Sequence, residues 1–288
     1  MNPIHTATVL THRRPAETAE ALRELIAIAE AHGAVLRFDA EETAKHELTA
    51  GPSVELDAEL RLDVDICFAL GGDGTILGGL RTYAGTPVPV FAVNFGEVGF
   101  LATVDRDETA SGFERAFEGN FEVLALPGIE VGGSNGGPWL AINDVSMHRQ
   151  PGKRVADLMY SANSDEVGRV RCDGLVVATP AGSTGYNLAN GGPIMAWGVE
   201  GYVVSFIAPH SLNARALVVS PDDVLTVSNW SRDEPVDVTV DGQPVCILPA
   251  GEEIKVGFVR ARSHLAQVAG SSFYRRLREK FGRLATVP

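Results

Sequence analysis

Residues 65–70 read DICFAL, an apolar run with no alternating polar face, and the run stops at Gly71-Gly72-Asp73-Gly74-Thr75. A strand of that pattern has no side to offer to water, so it belongs inside a sheet covered on both faces. The flanking sequence supplies the covers. TATVL (6–10) and VLRF (35–38) read as strands before it, and VPVFAVN (88–94) as a strand after it. Pro15 opens a helical stretch with Leu22, Leu25, Ile26 and Ala29 on one face, and Gly33 closes it. ILGGLRTYA (76–84) and ETASGFERAFEGN (108–120) predict two further helices. Residues 40–62 are polar and acidic, break at Gly51-Pro52, and read as loop or weak helix. Alternating strands and helices imply an α/β domain with a parallel sheet over residues 1–120.

From residue 121 the pattern changes. Short apolar runs recur between turn signals: FEVLAL, IEVGG, WLAINDVSM, DLMYSA, VGRVR, LVVAT, YVVSFIAP, LVVS, VLTV, VDVTV, VCILP and IKVGFV. These predict a β-rich, antiparallel domain over residues 121–265. GGSNGGP (132–138) reads as a hairpin loop, and Asp241-Gly242 in VDGQP as a second hairpin turn. The tail SSFYRRLREKFGRL spaces Phe273, Leu277 and Phe281 four apart. It predicts a serine-capped helix, within residues 266–288, that packs an apolar stripe back on the N-terminal domain.

Composition narrows the function. Apolar residues make up 45% of the 288 and charged ones 21%, enough apolar surface for two cores. A net charge of −13 weighs against nucleic-acid or acidic-membrane binding, where a basic face supplies the attraction. Cys67, Cys172 and Cys246 are scattered and form neither a metal spacing nor a disulfide framework; Cys67 and Cys246, in apolar strand-like runs, are expected to be buried thiols. The histidines show no i,i+4 pair. The N-terminus carries no charged-then-apolar leader and no run reaches a membrane span, which implies a soluble chain in the cytoplasm.

Two constellations stand out. GGDGT sits between a buried strand and a helix, where ligands bind in open α/β sheets. Gly71, Gly72, Gly74 and Thr75 can bring backbone N–H groups close to phosphates, and the helix start favours negative charge. The spacing is neither GxxxxGK[ST] nor GxGxxG. Phosphate repels a lone aspartate unless that residue takes a proton or holds a metal; a tight turn with Asp73 as a local cap is the plain alternative. The second constellation is CDGLVVATPAGSTGYNLANGGP (172–193), a strand ending in glycines and hydroxyls. It reads either as an oxygen-binding surface or as a glycine-rich connection. Ser183 in AGSTG lacks the GxSxG spacing of a nucleophile elbow. Asn143-Asp144 and VDGQP are, on their own, ordinary turn sequences.

In order along the chain, GGDGT, NFGEVGFL (94–101), IND (142–144), DGLVVATPAGSTGYNLANGGP, PHSLNARALVV (209–219) and VDGQP resemble the NAD kinase family, over about residues 66 to 260. The resemblance implies transfer of a phosphoryl group from ATP or polyphosphate to the 2′-hydroxyl of the adenosine ribose of NAD, giving NADP. It implies Asp73 as proton acceptor and Gly74 as a dinucleotide contact. It further implies NAD-binding roles for Asn143, Asp144, Arg154, Arg171, Asp173, Thr184, Gly185, Tyr186, Asn187, Leu188, Ala189 and Gln243, with Asp144 and Asp173 accepting hydrogen bonds from ribose hydroxyls or the nicotinamide amide. A divalent cation, Mg²⁺, is expected on the substrate phosphates with no metal site built from side chains alone. A homodimer or homotetramer is expected by analogy. Two positions depart from the family: Gly185 stands where many members have Ala, and Ala181 where many have Thr or Ser, which removes a hydroxyl. A lipid kinase of the related GGDGT type is the nearest rival, but its Asn-Glu pair directly follows the motif, whereas Asn143-Asp144 comes much later here. A non-catalytic dinucleotide sensor is the other, and the intact Asp73 argues against it.

Overall fold

The computed structural model describes residues 3–96, 100–134, 136–269 and 272–282. Glu97, Val98 and Gly99 of the NFGEVGFL stretch, Asn135 of the glycine-rich hairpin, and Ser271, Arg283 and Leu284 of the tail lie outside them. The chain divides into two units, residues 1–125 with 263–288, and residues 126–262.

In the first unit β1 (Thr6–Thr11), α1 (Ala19–His32), β2 (Val35–Arg37), α2 (Ala40–Lys45), β3 (Val54–Glu55), β4 (Ile66–Gly71), α3 (Asp73–Thr82), β5 (Pro89–Asn94), β6 (Val104–Asp105) and α4 (Thr109–Phe117) follow one another. The strands pair in parallel in the order β3-β2-β1-β4-β5, with β6 also against β5. β4 and β5 are buried at every residue. One face of β4 carries Phe68, whose ring meets Phe91 at 5.7 Å and Phe113 and Phe117 of α4 at 5.7 and 5.6 Å between centroids. Leu22, Leu25 and Ala29 of α1 complete that core. On the other face, Gly79 of α3 lies against Cys67, Val90 and Leu10. Burial holds the Cys67 thiol well above its ordinary range.

Local chemistry moves several boundaries from where the sequence puts them. Pro15–Glu17 forms a single 3₁₀ turn and α1 starts only at Ala19, ending where Gly33 takes φ +67°. The acidic 40–62 stretch does contain a helix, because the Asp39 carboxylate accepts the Glu42 N–H at 2.8 Å and caps α2. α3 begins at Asp73 rather than Ile76, so the motif's aspartate is the first residue of the helix and Gly72 is the cap.

The second unit is antiparallel. It holds β7 (Glu122–Gly133) from Leu126 on, β8 (Gly136–Ala141), β9 (Asp144–Arg149), β10 (Ala156–Ala162), β11 (Asp165–Cys172), β12 (Gly174–Ala178), α5 (Tyr186–Ala189), β13 (Tyr202–Ile207), β14 (Leu217–Val219), β15 (Leu225–Asn229), β16 (Val236–Val240), β17 (Gln243–Leu248) and the start of β18 (Glu253–Gln267). One sheet runs β14-β13-β12-β9-β16-β17; β11-β10-β15-β18 forms another. Their inner faces share one core, with Val145, Met147, Leu175, Val177 and Tyr202 from the first and Leu158, Val170, Leu225, Val227 and Val256 from the second. FEVLAL and IEVGG merge into β7, while WLAINDVSM, read as one strand, breaks into β8 and β9. Cys172 is buried, and burial pushes its thiol up to about 12; Cys246, expected buried, is half-buried on the edge strand β17.

The last residues of β18 return to the first unit, where His264 and Leu265 pair in parallel with Pro89 and Val90. α6 (Phe273–Phe281) follows, capped by Ser272, whose hydroxyl accepts the Arg275 N–H at 3.1 Å. Phe273 is buried, Leu277 half-buried and Phe281 exposed, so the expected apolar stripe is only partly covered. The other buried residue of the helix is Arg276. Among the described residues no helix is long and apolar enough to cross a membrane.

Phe68 joins both central strands to α4, so Phe68→Ala removes the hub of that cluster. Urea denaturation is expected to show a loss of roughly 3–5 kcal/mol; a loss below about 1 kcal/mol contradicts this packing account.

Candidate functional site

In the first unit β4 ends at the buried Gly71, and the chain turns into α3 through the half-buried Gly72 and Asp73. Asp73 does not cap its own helix. Its Oδ1 accepts the Leu101 N–H at 3.4 Å, and Asp73 is half-buried beside the exposed Gly74. The Thr75 and Ile76 N–H groups close on the Gly72 carbonyl at 3.0 and 3.1 Å, so the Thr75 amide is already engaged. The loop after β5 presses on this turn: Phe95 N–H donates to the Gly71 carbonyl at 2.9 Å, and a Cβ at Gly96 would come within 2.8 Å of the Gly72 Cα. Only paired glycines allow that approach. The result is a rigid Gly-Gly-Asp turn at the carboxyl end of a central parallel strand, with a helix N-terminus behind it.

In the second unit the Asn143-Asp144 pair is positioned by a residue that the sequence reading took for a hairpin turn alone. Asp241, at φ +47° in the β16–β17 turn, accepts the N–H groups of Ile142, Asn143 and Asp144 at 3.0, 2.8 and 3.1 Å. The Asp241 N–H returns a bond to the Asp144 carbonyl at 2.8 Å. Three amides turned onto one carboxylate are lost to the strand ladder, which is why WLAINDVSM breaks here. The glycine-rich block packs on the same strip. Thr179 donates its N–H to the Asn143 carbonyl and its hydroxyl to the Ile142 carbonyl. Gly182 passes so close that a Cβ there would collide with the Asn143 carbonyl. The Asn143 Oδ1 is buried and has no hydrogen-bond partner among the described residues. Asp144 is pushed up to about 7, first by burial and then by the Asp241 carboxylate.

The rest of the block divides. Tyr186 is 36% exposed and stacks on His148 at 5.6 Å and 14°. Its phenol is raised by burial and by Asp144, so Asp144, Tyr186 and Asp241 share one locality. His148 continues inward through Ser146 at 2.9 Å to Thr239 at 2.6 Å, and burial lowers the imidazole's pKa against the pull of Asp237. Gly185 and Ala189 are exposed, Thr184 and Leu188 half-buried. Asn187 is fully buried, and its Nδ2 donates to the Ser183 and Pro193 carbonyls at 2.9 and 3.0 Å. Gln243 is exposed, just past the turn that carries Asp241.

Three predicted residues lie elsewhere in this unit. Asp173 is ion-paired with Arg149. Arg154 and Arg171 line a cavity of about 510 Å³ with Arg169, Trp230 and Arg232, and with Asp157, Asp233 and Glu234. Arg169 is bidentate on Asp157 at 2.7 and 2.6 Å and sits over the Trp230 ring. Sequence reasoning missed Asp241, Arg149 and His148. The signal available for Asp241 was its position in the turn facing a strand break. Among the described residues no group of three or more His, Cys, Asp or Glu side chains is gathered to hold a metal ion.

Known proteins resemble this chain along most of its length. Residues 1–121 match the family model described as the ATP-NAD kinase N-terminal domain, and residues 142–268 the ATP-NAD kinase C-terminal domain. The NAD kinase of Gemmatimonas aurantiaca is 37% identical over 224 residues, 76% of this chain and 78% of that one. Yeast NADH kinase complexed with NADH superposes with a TM-score of 0.87 at 25% identity, over 100% of this chain and 90% of that one. An NAD kinase from Archaeoglobus fulgidus in complex with ATP superposes with a TM-score of 0.73 at 25% identity, over 96% and 98%.

The raised Asp144 pKa ties stability to pH. The folded state keeps the Asp144 proton that the unfolded chain gives up near the ordinary carboxylate value of 3.8. That contribution is therefore full below about pH 4 and is lost as pH rises through about 7. Asp144→Asn removes it. Urea unfolding from pH 4 to 8 is expected to show the variant gaining stability relative to the parent up to about pH 7 and then levelling; a pH-independent difference contradicts the shift.

Proposed function

The chain belongs to the NAD kinase family, and we propose which of its residues carry the family's reaction: transfer of a phosphoryl group to the 2′-hydroxyl of the adenosine ribose of NAD, giving NADP. The observation that carries the assignment is Asp73. It is the first residue of α3, its carboxylate is anchored on one oxygen by Leu101 rather than used as a cap, and it remains partly open to solvent.

A ribose hydroxyl is a weak nucleophile at neutral pH. Asp73 takes its proton as the oxygen–phosphorus bond forms. General-base help of this kind contributes roughly 10²- to 10⁴-fold. Charge in the transition state spreads over the transferred phosphoryl oxygens, so positioning and fixed dipoles do most of the remaining stabilisation. Gly71, Gly72 and Gly74, with the α3 N-terminus, are the groups to which we assign the donor's phosphates; Thr75 takes part through its hydroxyl, because its amide is engaged. The donor is ATP or polyphosphate.

The donor's phosphates would hold Mg²⁺. The residues present suit that arrangement, since Asp73 is a single carboxylate at the turn and Mg²⁺ needs only one or two beside phosphate oxygens. When bound, the ion offsets charge on the transferred group.

We assign NAD contacts to each unit separately: Gly74 in the first, and Asn143, Asp144, Thr184 to Ala189 and Gln243 in the second. The unpartnered Asn143 Oδ1 supports a bond accepted from a ribose hydroxyl or amide, because a buried acceptor left unmet is costly. An Asp144 carboxyl titrating near neutrality both donates and accepts. Asn187 acts by holding the loop. Arg154, Arg171 and Asp173 stay assigned to NAD in the active assembly.

That assembly is a homodimer or homotetramer. Its support in this chain is the edge strand β17, where Pro244, Val245, Cys246 and Ile247 line an open groove and Ile247 is 52% exposed. The three free thiols suit the reducing cytoplasm.

Two measurements test these assignments. Asp73→Asn is expected to fold, to bind NAD with near-parental affinity, and to lose roughly 10²- to 10⁴-fold in turnover, read by coupled detection of NADP formed with ATP and Mg²⁺. Parental turnover in the folded variant removes Asp73 from the chemistry. Light scattering on the purified chain is expected to give the mass of two or four chains, and a monomer mass rejects the oligomer.

A further inference from the structure

α6 grips the segment that carries the Asp73 anchor, at three points among the described residues. Arg276, only 6% exposed, donates from Nη2 to the Thr103 carbonyl at 3.0 Å. The Lys280 Nζ lies 3.5 Å from the Asp105 Oδ1. The Phe100 ring sits 5.5 Å from Phe273 and 5.9 Å from Phe281. The same segment is stitched to the sheet. Thr103 donates its N–H to the Ala92 carbonyl at 2.6 Å, and its hydroxyl accepts the Ala92 N–H at 3.0 Å and donates to the Ala266 carbonyl at 2.7 Å. Asn94 Nδ2 donates to the Asp105 Oδ1 at 3.0 Å, and Asn94 Oδ1 accepts the N–H of Gly96, the glycine lying on Gly72.

Two residues before Thr103 comes Leu101, whose N–H is the one donated to Asp73. A buried guanidinium is an expensive way to fasten a helix, since an apolar side chain of similar volume does so without desolvating a charge. Asp105, Glu279 and Asp73 are the acidic groups whose fields reach Arg276, with Arg275 the opposing cation; burial lowers the guanidinium from its usual range and the carboxylates act against that.

We propose that Arg276 is a positioning residue for phosphoryl transfer: by holding Thr103 from behind, it fixes the Leu101 N–H on the Asp73 carboxylate, so the last helix of the chain orients the proton acceptor. This rests on the assignment of Asp73 as that acceptor. A carboxylate anchored on one oxygen meets the ribose hydroxyl in a narrow range of directions, and a misplacement of about 1 Å costs on the order of 10²-fold in rate.

The test uses the full chain with Arg276→Met, Arg276→Lys and Thr103→Val, each assayed for NADP formation with ATP and Mg²⁺ and checked by circular dichroism to be folded at the assay temperature. Arg276→Met is expected to lose about 10- to 100-fold in kcat with KM for NAD unchanged. Arg276→Lys, which keeps the charge and a donor, recovers part of that loss. Thr103→Val, which keeps the Thr103 backbone but cuts its hydroxyl bonds, gives the same kcat-only pattern and decides the matter if Arg276→Met does not fold. Parental kcat in folded Arg276→Met and Thr103→Val overturns the inference. So does a rise in KM at constant kcat, or a Lys variant no better than Met. Asp73→Asn separates the levels: if it is inactive while Arg276→Met is fully active, only the positioning role fails, and if it is fully active, both fail.

Discussion

A strand buried on both faces can show polar chemistry only at its ends. β4 is such a strand, closed by Phe68 and the α4 aromatics on one side and by α3 on the other. The first unit depends on that constraint. It requires both faces to be covered, which the crossover helices between the parallel strands supply, and it leaves the Gly72–Asp73 turn as the point where the chain leaves the buried sheet. An aspartate at that turn meets a helix N-terminus, not a core. The Gly72–Gly96 contact then removes the slack from the turn, so the carboxylate is held by the fold and not by its own helix.

The second unit solves a different problem with the same chemistry. An antiparallel sheet satisfies its amides by pairing, and a strand edge that must face a ligand has to be taken out of the ladder without leaving those amides unmet. Asp241 does this for Ile142, Asn143 and Asp144. Its charge has a second effect, since the carboxylate that holds the backbone also raises the pKa of Asp144 beside it. Asp241 therefore positions the candidate NAD-binding pair and adds to the burial that chiefly raises the Asp144 pKa.

The layers of both units were legible because they rest on periodicity. An unbroken apolar run, a helical stripe and a series of short strands each have one economical burial. The GGDGT turn was legible in place, though not in form: the helix begins at Asp73, because Gly72 adopts an extended cap. What escaped the sequence is long-range. Asp241 lies far along the chain from the amides it holds, and a DG pair between two strands has a complete local explanation as a turn. Arg276 looks like a surface cation in a tail rich in them, and only the packing of α6 shows it buried on Thr103. Asp173 reads as free to accept a ribose hydroxyl, but β9 brings Arg149 across to it. Arg154 and Arg171 are separated in sequence yet line one cavity. Pairings across strands decide these cases, and no local spacing encodes them.

The central claim is that a carboxylate at the end of β4 removes the ribose proton. Chemical rescue tests it most directly. With Asp73→Gly, which empties the position without adding a competing side chain, NADP formation is predicted to be very slow in plain buffer and to rise saturably with added formate, with no such response from the parent chain. Asp73→Gly forming NADP at the parental rate with no carboxylate added would contradict the account.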